Sequence, residues 1–430
     1  MRILVILILL AVSTLANGQE ILTVDDAVSI ALKNNFGILV ARNDADIAKA
    51  NNTPGNAGML PVVQATGSGS YALNNVDQHL STGTINKYPS LSAASASAGT
   101  QLSWKLFDGG KMFVTKNKLN EIESLGEIQF KDNVLQTLYT VISAYYDVVR
   151  QKQQLNSIDE VMNYNQEQVK IAQAGFTAGS LLKTNLLQAK IDLNVTMENA
   201  VNQQFIIEEA KRHLLELLGQ GIDKNFDVTD TIPLNFSPDK NELIKKVDSA
   251  NTTLQSFHKQ MDIARLVLKE NSKLFFPVLN FTSGYYFSQS NNSNGSILNN
   301  RSFGPQLGGS LTIPIYSAGE NQRKINTAKI QLKTAEYDFQ NVELQVKTDL
   351  QNAISGFENQ QKLLKIEVEN KELTRENLQI SLQRLRLGQT TSLEVHMAQE
   401  NYMLSCTRLI NFEYNLKIAE TKLKQLIATL

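Results

Sequence analysis

Residues 102–110 read LSWKLFDGG and residues 311–319 read LTIPIYSAG. Written one above the other, they set a register that holds to the end of the chain. At an offset of 209, Gly179 falls on Gly388, Ala189 on Ala398, Leu193 on Tyr402 and Leu214 on Leu423. Upstream the offset is 216, so that Pro61-Val62-Val63 falls on Pro277-Val278-Leu279. The difference of seven lies between the two strand-like stretches of each copy, where a hairpin loop absorbs it. The chain is therefore a tandem repeat of about 200 residues, each copy reading helix–strand–strand–helix–helix.

The helical stretches are too long for a globule. Leu186, Leu193, Ala200, Ile207 and Leu214 recur every seven residues, with Ala189, Thr196, Gln203, Ala210 and Leu217 three places along. Together they form an a/d seam. The second copy repeats it with Val395, Tyr402, Leu409, Leu416 and Leu423 beside Ala398, Ser405, Phe412, Ala419 and Leu426. A third seam runs through Ile325, Leu332, Phe339, Val346 and Ala353 with Ala328, Ala335 and Val342. Residues 111–177 and 320–387 contain no proline. At a rise of 1.5 Å per residue, each such segment reaches roughly 100 Å if helical throughout.

The strand-like stretches alternate with period two. Ala94, Ala96, Ala98, Thr100, Leu102, Trp104 and Leu106 share one face; Ser95, Ser97, Gly99, Gln101, Ser103 and Lys105 share the other. In the second copy, Phe303, Pro305, Leu307, Gly309, Leu311, Ile313 and Ile315 oppose Gln306, Gly308, Ser310 and Thr312. Residues 62–71 and 278–288 alternate likewise, most clearly at Leu279, Phe281, Tyr285 and Phe287. Apolar-out, polar-in alternation at this length suits strands tilted through a bilayer. Trp104, Phe107, Phe275, Phe276 and Tyr316 cluster where strands give way to helices, as a girdle at the membrane–water boundary would. The Asn-, Ser- and Gly-rich stretches 74–90 and 289–301 are expected to be exposed loops. Four strands make a poor sandwich and cannot close a barrel alone, whereas three chains would supply twelve.

The N-terminus reads as an export signal. Arg2 supplies the positive region, Ile3 to Val12 the apolar one, and Ala16-Asn17-Gly18 the small-x-small cleavage site, so residues 1–18 are expected to be removed. No later run of eighteen apolar residues suggests a transmembrane helix. Cys406 stands alone, cannot form an internal disulfide, and reads as a small residue on a helix. With 41 basic and 42 acidic residues, the charge balance argues against a nucleic-acid partner. Four histidines (His79, His213, His258 and His396) lack metal-ligand spacing, and neither a phosphate loop nor a nucleophile elbow is present. Neither an enzyme nor a cofactor is expected.

Taken together, the duplication, the Leu106-Phe107-Asp108-Gly109-Gly110 junction with its echo Ile315-Tyr316-Ser317-Ala318-Gly319, and the two glycine turns resemble the TolC family of outer-membrane efflux proteins. The turns read Gly175-Phe176-Thr177-Ala178-Gly179 and Leu385-Arg386-Leu387-Gly388-Gln389-Thr390. The resemblance spans essentially the whole chain after the signal. It implies a mainly α fold with a β-barrel part: a homotrimer with a twelve-stranded barrel in outer-membrane lipid and a long α-helical barrel crossing the periplasm of a Gram-negative bacterium. It also implies docking to a periplasmic adaptor and an inner-membrane pump of the RND, ABC or MFS type, in efflux or type I secretion. On that pattern the first helices are 19–58 and 239–275, the strands 59–107 and 276–316, the α-barrel helices 108–218 and 317–430, and the linker 219–238. The adaptor would meet Ala178, Gly179, Ser180, Leu387, Gly388 and Gln389 at the helix tips. The family narrows its pore with acids just after the second glycine. Here the matching positions are Glu394, which keeps an acid, and Met397, which does not; Asn185 stands at the first-copy position. The alternative reading is a periplasmic coiled-coil adaptor, which would need lipoyl-like modules between single hairpin halves.

Overall fold

The computed structural model describes residues 21–222, 224–294 and 297–430; the expected signal at 1–18 lies outside the described residues. In chain order the elements are β1 (Ile21–Leu22), α1 (Val24–Asn34), α2 (Phe36–Asn51), β2 (Val62–His79), β3 (Ile85–Phe107), α3 (Lys111–Thr177) and α4 (Lys183–Leu217). Then follow β4 (Asp227–Val228), α5 (Lys240–Ala250), α6 (Thr252–Ser272), a 3-10 turn (Lys273–Phe275), β5 (Val278–Asn292), β6 (Asn299–Thr312), α7 (Glu320–Arg386) and α8 (Ser392–Leu426). The duplication is carried into geometry. Helices α3 and α7 both have 67 residues, α4 and α8 both have 35, and each pair begins and ends 209 residues apart.

The chain divides into two compact units. One comprises Ala45–Glu127 and Phe257–Gln340 and contains the sheet; the other comprises Met1–Asp44, Ile128–Ser256 and Asn341–Leu430 and contains the helical core.

In the sheet unit the strand order is β2-β3-β5-β6, with every pairing antiparallel. The ladder tests the alternation directly, because residues paired across strands share a face. Leu102 pairs with Val63 and Ser283, and Ser283 with Leu307; Ala98 pairs with Gly67 and Phe287, and Phe287 with Phe303. The opposite face carries Ser97 between Ser68 and Ser288, and Gln101 between Gln64 and Gly284. One apolar and one polar face thus run across all four strands, and both remain exposed over much of their length. Strands β2 and β6 each pair on one side only, leaving a long row of backbone donors and acceptors along either edge.

Four expectations about the strands need correction. The loop expected at 74–90 is mostly strand, since the β2–β3 ladder continues past a bulge at Asn74/Val76 to His79↔Ile85. The loop expected at 289–301 shrinks in the same way, because pairing reaches Asn291↔Asn299. Backbone pairing needs no apolar side chain, so polar composition alone did not mark where it stopped. A bulge at Lys105/Phe107 also sets Phe107, rather than Leu106, opposite Leu279 on the apolar face. Strand β6 ends at Thr312, just ahead of Pro314, whose nitrogen has no proton to give, so Ile313 and Ile315 lie beyond the ladder.

The single first helix expected in each copy is two helices. Asn35 breaks 19–58 and Asn251 breaks 239–275, 216 residues apart. Each has φ −63° and an extended ψ, and its backbone N–H closes the helix before it, on Ala31 or on Val247. Each side-chain oxygen then accepts from the next helix, from the backbone N–H of Ile38 or of Leu254. Each side-chain nitrogen donates to the end of a long helix, to Leu217 O at 2.7 Å or to Leu426 O at 3.0 Å. One asparagine thus ends a helix, starts another and ties down a third.

The motif that sets the repeat acquires a reason at the same level. Asp108 is buried, and its carboxylate accepts from the backbone N–H of Met112 at 3.1 Å, capping α3. Gly109 and Gly110 both have positive φ, and a Cβ on Gly109 would come within 2.2 Å of Phe276. In the second copy Ala318 (φ 51°) and Gly319 (φ 78°) make the same turn.

In the helical unit the seams form the core. On α4, Leu186, Ala189, Thr196, Ala200, Gln203, Ile207 and Leu214 are buried, and Leu193, Ala210 and Leu217 half-buried. On α8, Val395, Ala398, Tyr402, Ser405, Leu416, Leu423 and Leu426 are buried, with Cys406 and Ile410 buried beside them in preference to Leu409. Burial pushes the Cys406 thiol up, which leaves it a packing residue and not a nucleophile.

Candidate functional site

The tips where α3 meets α4 and α7 meets α8 hold every expected docking and constriction residue. Both turns are built alike. Gly179 (φ +74°) donates to Phe176 O, and Ser180 donates back to Gly175 O at 2.9 Å. Gly388 (φ +67°) donates to Leu385 O, and Gln389 donates back to Arg384 O at 2.9 Å. This is the six-to-one closure of a helix C-terminus around a left-handed residue, a conformation glycine enters without a Cβ penalty. Around both glycines the space is open, with nothing within 4 Å of where a Cβ would stand. Ala178, Ser180, Leu387 and Gln389 flank them, with Leu387 71% exposed.

The side chains that follow differ. Leu182 precedes α4 and makes no side-chain cap. Thr391 precedes α8 and accepts from the backbone N–H of Glu394. The Glu394 carboxylate is itself held. Arg384 Nη1 donates to its Oε1 at 2.6 Å, and the Thr390 hydroxyl donates to its Oε2. The acid expected at a constriction is therefore charge-compensated within its own chain by an arginine across the turn. Asn185 is half-buried on the first turn of α4, and Met397 is 56% exposed on α8. A second tip pair, Arg386 to Glu167 at 2.9 Å, joins α7 to α3. Neither arginine was picked out by reading the sequence. The available signal was a cation ten residues before the acid, on the other side of a glycine turn.

Behind the tips the helices are joined by buried polar pairs. Gln399 Nε2 donates to Gln168 Oε1 at 3.0 Å, and Asn165 Nδ2 to Thr196 Oγ1 at 2.7 Å. His396 lies 3.5 Å from both the buried Asp192 and Glu400. Further along, Glu367 is only 4% exposed, yet it accepts from Ser405 at 2.6 Å and from Arg408 at 2.9 Å. Burial pushes its carboxyl up, but the bonds from Arg408, Ser405 and Asn370 together outweigh burial and hold it below the usual carboxylate range. Such pairs specify which helix faces meet, since a one-sided loss leaves a buried group unsatisfied. Among the described residues no cluster of histidine, cysteine and carboxylates is placed to hold a metal ion, and no helix is long and apolar enough to cross a membrane.

In the sheet unit the aromatic set gathers at the helix end of the strands. Phe107 closes β3, Phe275 and Phe276 lead into β5, and Tyr316 follows β6. Trp104 is 40% exposed, and its indole N–H donates to Met59 O at 2.9 Å, leaving the ring outward. Lys273 lies over the Phe276 ring at 4.9 Å.

A duplicated chain with two 67-residue helices, paired 35-residue helices and a two-faced sheet matches the profile of the family described as outer membrane efflux protein, over residues 27–220 and 243–429. The chain belongs to that family. Outer membrane efflux protein BepC of Brucella suis biovar 1 (strain 1330) is 22% identical over 411 residues, covering 94% of this chain and 86% of its own. Proteases secretion protein PrtF of Dickeya chrysanthemi is 19% identical over 440 residues, covering 100% and 93%. The solved CmeC outer membrane channel of Campylobacter jejuni superposes with a TM-score of 0.77 at 18% identity, covering 94% of this chain and 85% of that one. The TolC-like resemblance, the mainly α fold with a β-barrel part, the outer-membrane location and the role of channel rather than adaptor all stand on these matches. Members of the family are channels, not enzymes.

Proposed function

We propose that three copies of this outer membrane efflux protein close one twelve-stranded barrel and one helical duct, through which cargo leaves passively. The observation that carries this is the four-stranded sheet with both edges open. Lipid offers no water to satisfy the unpaired rows on β2 and β6, so a strand row in a bilayer must meet another. Joining β2 of one copy to β6 of the next satisfies both, and three copies supply enough strands to close. On this reading the apolar face bearing Leu102, Phe287 and Leu307 meets lipid, the serine- and glutamine-rich face lines the lumen, and Trp104, Phe107, Phe275, Phe276 and Tyr316 form the periplasmic girdle.

We infer further that the glycine turns are the docking points for a periplasmic adaptor, which passes cargo from an inner-membrane pump. Support comes from the open space around Gly179 and Gly388 and from the exposed backbone of both turns. Glu394, Asn185 and Met397 would line the narrowest part of the duct, with Glu394 entering it already paired to Arg384. PrtF is named for protease secretion and the family for efflux, which leaves secreted proteins and smaller efflux cargo both open to this chain. Native mass measurement of the detergent-extracted protein should return three chains. A stable single chain inserted in lipid overturns the reading.

A further inference from the structure

Between the helices and the bulge at Asn74/Val76, the apolar face of the sheet carries one charge. Followed through the ladder, that face comprises the odd positions Val63 to Leu73 on β2, the even positions Ser92 to Trp104 and then Phe107 on β3, the odd positions Leu279 to Asn291 on β5, and the odd positions Asn299 to Leu311 on β6. Arg301 is the only charged residue among them. It is exposed, and among the described residues its guanidinium makes no ion pair; it rests instead over Phe287 at 5.3 Å and Phe303 at 5.8 Å.

Its position along the strand is informative. Phe303 lies eight residues from Leu311, the last apolar-face residue of β6, and Arg301 ten. At about 3.3 Å per residue and a tilt near 45°, these are depths of roughly 19 and 23 Å. An apolar band about 25 Å tall therefore ends close to Arg301, at the boundary away from the helices. At its level and beyond, the same face turns polar, with Gln289 opposite Arg301 and then Asn291 opposite Asn299. An unpaired arginine on a lipid-facing surface is costly unless a counter-charge meets it. Two aromatic rings within about 6 Å of its guanidinium carbon give it an apolar shelf, a contact that a guanidinium makes while its N–H groups can still donate elsewhere.

From this we propose that Arg301 binds the phosphate of a lipid headgroup in the outer leaflet, with Phe287 and Phe303 as the shelf that orients it. A planar fork of donors matches two phosphate oxygens, and the boundary depth places headgroup phosphate, not acyl chain, at its level. The proposal rests on the reading that this face meets lipid.

The test uses the purified, detergent-extracted full chain. Its binding to fluorescent phosphatidic acid, a phosphomonoester lipid, is compared with its binding to phosphatidylcholine and with competition by inorganic phosphate. The wild-type protein should prefer phosphatidic acid. Arg301→Gln should weaken that binding roughly tenfold, the size of one lost charge-assisted contact, while Arg301→Lys retains part of it. Free phosphate at the same concentration should not compete, because the acyl chains hold the headgroup at the shelf. Equal binding of the two lipids by the wild type, or unchanged binding by Arg301→Gln, overturns the proposal; competition by free phosphate overturns the lipid as its source. Native mass on the same samples separates the two readings. A monomer would sink the barrel itself, whereas a trimer indifferent to the headgroup sinks only Arg301. Should Arg301→Gln fail to assemble, the wild-type lipid comparison and Arg301→Lys still decide.

Discussion

At the tip of the first copy, Gly179 reverses the chain, and Leu182 precedes the next helix without a side-chain cap; at the tip of the second, Gly388 makes the same turn, but Thr391 caps the next helix and Arg384 holds Glu394. Deeper in the bundle the contrast sharpens. Glu367, buried and bound to Arg408, occupies the position that Ile158, equally buried, occupies 209 residues earlier. The two copies share the lengths of their long helices, the glycine turns and the helix-breaking asparagines, all devices that act through backbone geometry. They differ in charge. Duplication preserves what geometry requires, while side chains that only need to be satisfied are free to drift, each with its own partner. Substitutions at shared devices should therefore act equally in both copies, and substitutions at drifted sites in one only.

The largest effect is expected in the sheet. Ala98 and Leu307 are equivalent positions on the apolar face. Ala98→Arg and Leu307→Arg should each abolish outer-membrane assembly, since a mid-bilayer arginine in a barrel costs about 2–4 kcal/mol per site. Gln306→Arg, on the polar face, should assemble. The amount of heat-modifiable oligomer in outer-membrane fractions reads all three, and equal damage from Leu307→Arg and Gln306→Arg would mean the parity is inverted or absent. Leu311, near the helix end of the face, should tolerate arginine better than Leu307.

Next comes the drifted pair. Arg408→Ala strands a buried carboxylate and should cost about 1–3 kcal/mol, whereas Asn199→Ala at the equivalent position should stay within about 0.5 kcal/mol. The pH dependence has a definite sign. The Glu367 carboxyl is held below its ordinary range, so its contribution is complete above the unfolded carboxylate value and fades as pH falls through the folded one. Thermal midpoints of wild type and Glu367→Gln should therefore converge on acidification. A gap that widens toward low pH would show that Arg408 does not hold the acid.

Asn35→Ala and Asn251→Ala should each cost about 1–2 kcal/mol, and the same within error, because each deletes one cap and one tie to a helix end. Denaturant midpoints that differ strongly between the two would break the equivalence of the copies. A smaller stability effect, about 1 kcal/mol, is expected for Gly179→Ala and Gly388→Ala, the strain of a left-handed turn with a Cβ. Tryptophan at either site should leave oligomer levels normal and abolish efflux in a reconstituted three-component assembly. Full efflux by Gly388→Trp would remove that turn from the docking surface. The smallest effect belongs to Glu394. An exposed pair such as Arg384–Glu394 contributes about 0–1 kcal/mol. Glu394→Gln should barely move stability, and Arg384→Gln, which frees the acid, should strengthen divalent-cation block in single-channel records. Block unchanged in Arg384→Gln would take Glu394 out of the pore.

Much of this was legible in the linear chain because it depends on period and repetition. A seven-residue spacing fixes which helix face is buried, a two-residue spacing fixes which strand face is apolar, and an offset of 209 carries the ends of the long helices of one copy onto those of the other. The tip glycines were legible because a chain that must reverse between two long helices has few other residues able to do it. What escaped has a common character. Asn35 and Asn251 look like ordinary helix-surface residues until Leu217 and Leu426 come within reach. Arg384 becomes the partner of Glu394 only when a turn brings the two side chains together, and Arg301 becomes an isolated charge only when the ladder assigns it to the apolar face. The hairpins outran their apolar pattern because backbone pairing is indifferent to side-chain polarity. Local periodicity thus determined which elements form and which way they face. Where a strand stops, where a helix breaks and which charge meets which depend on contacts between residues distant in sequence, and only the tertiary structure decided those.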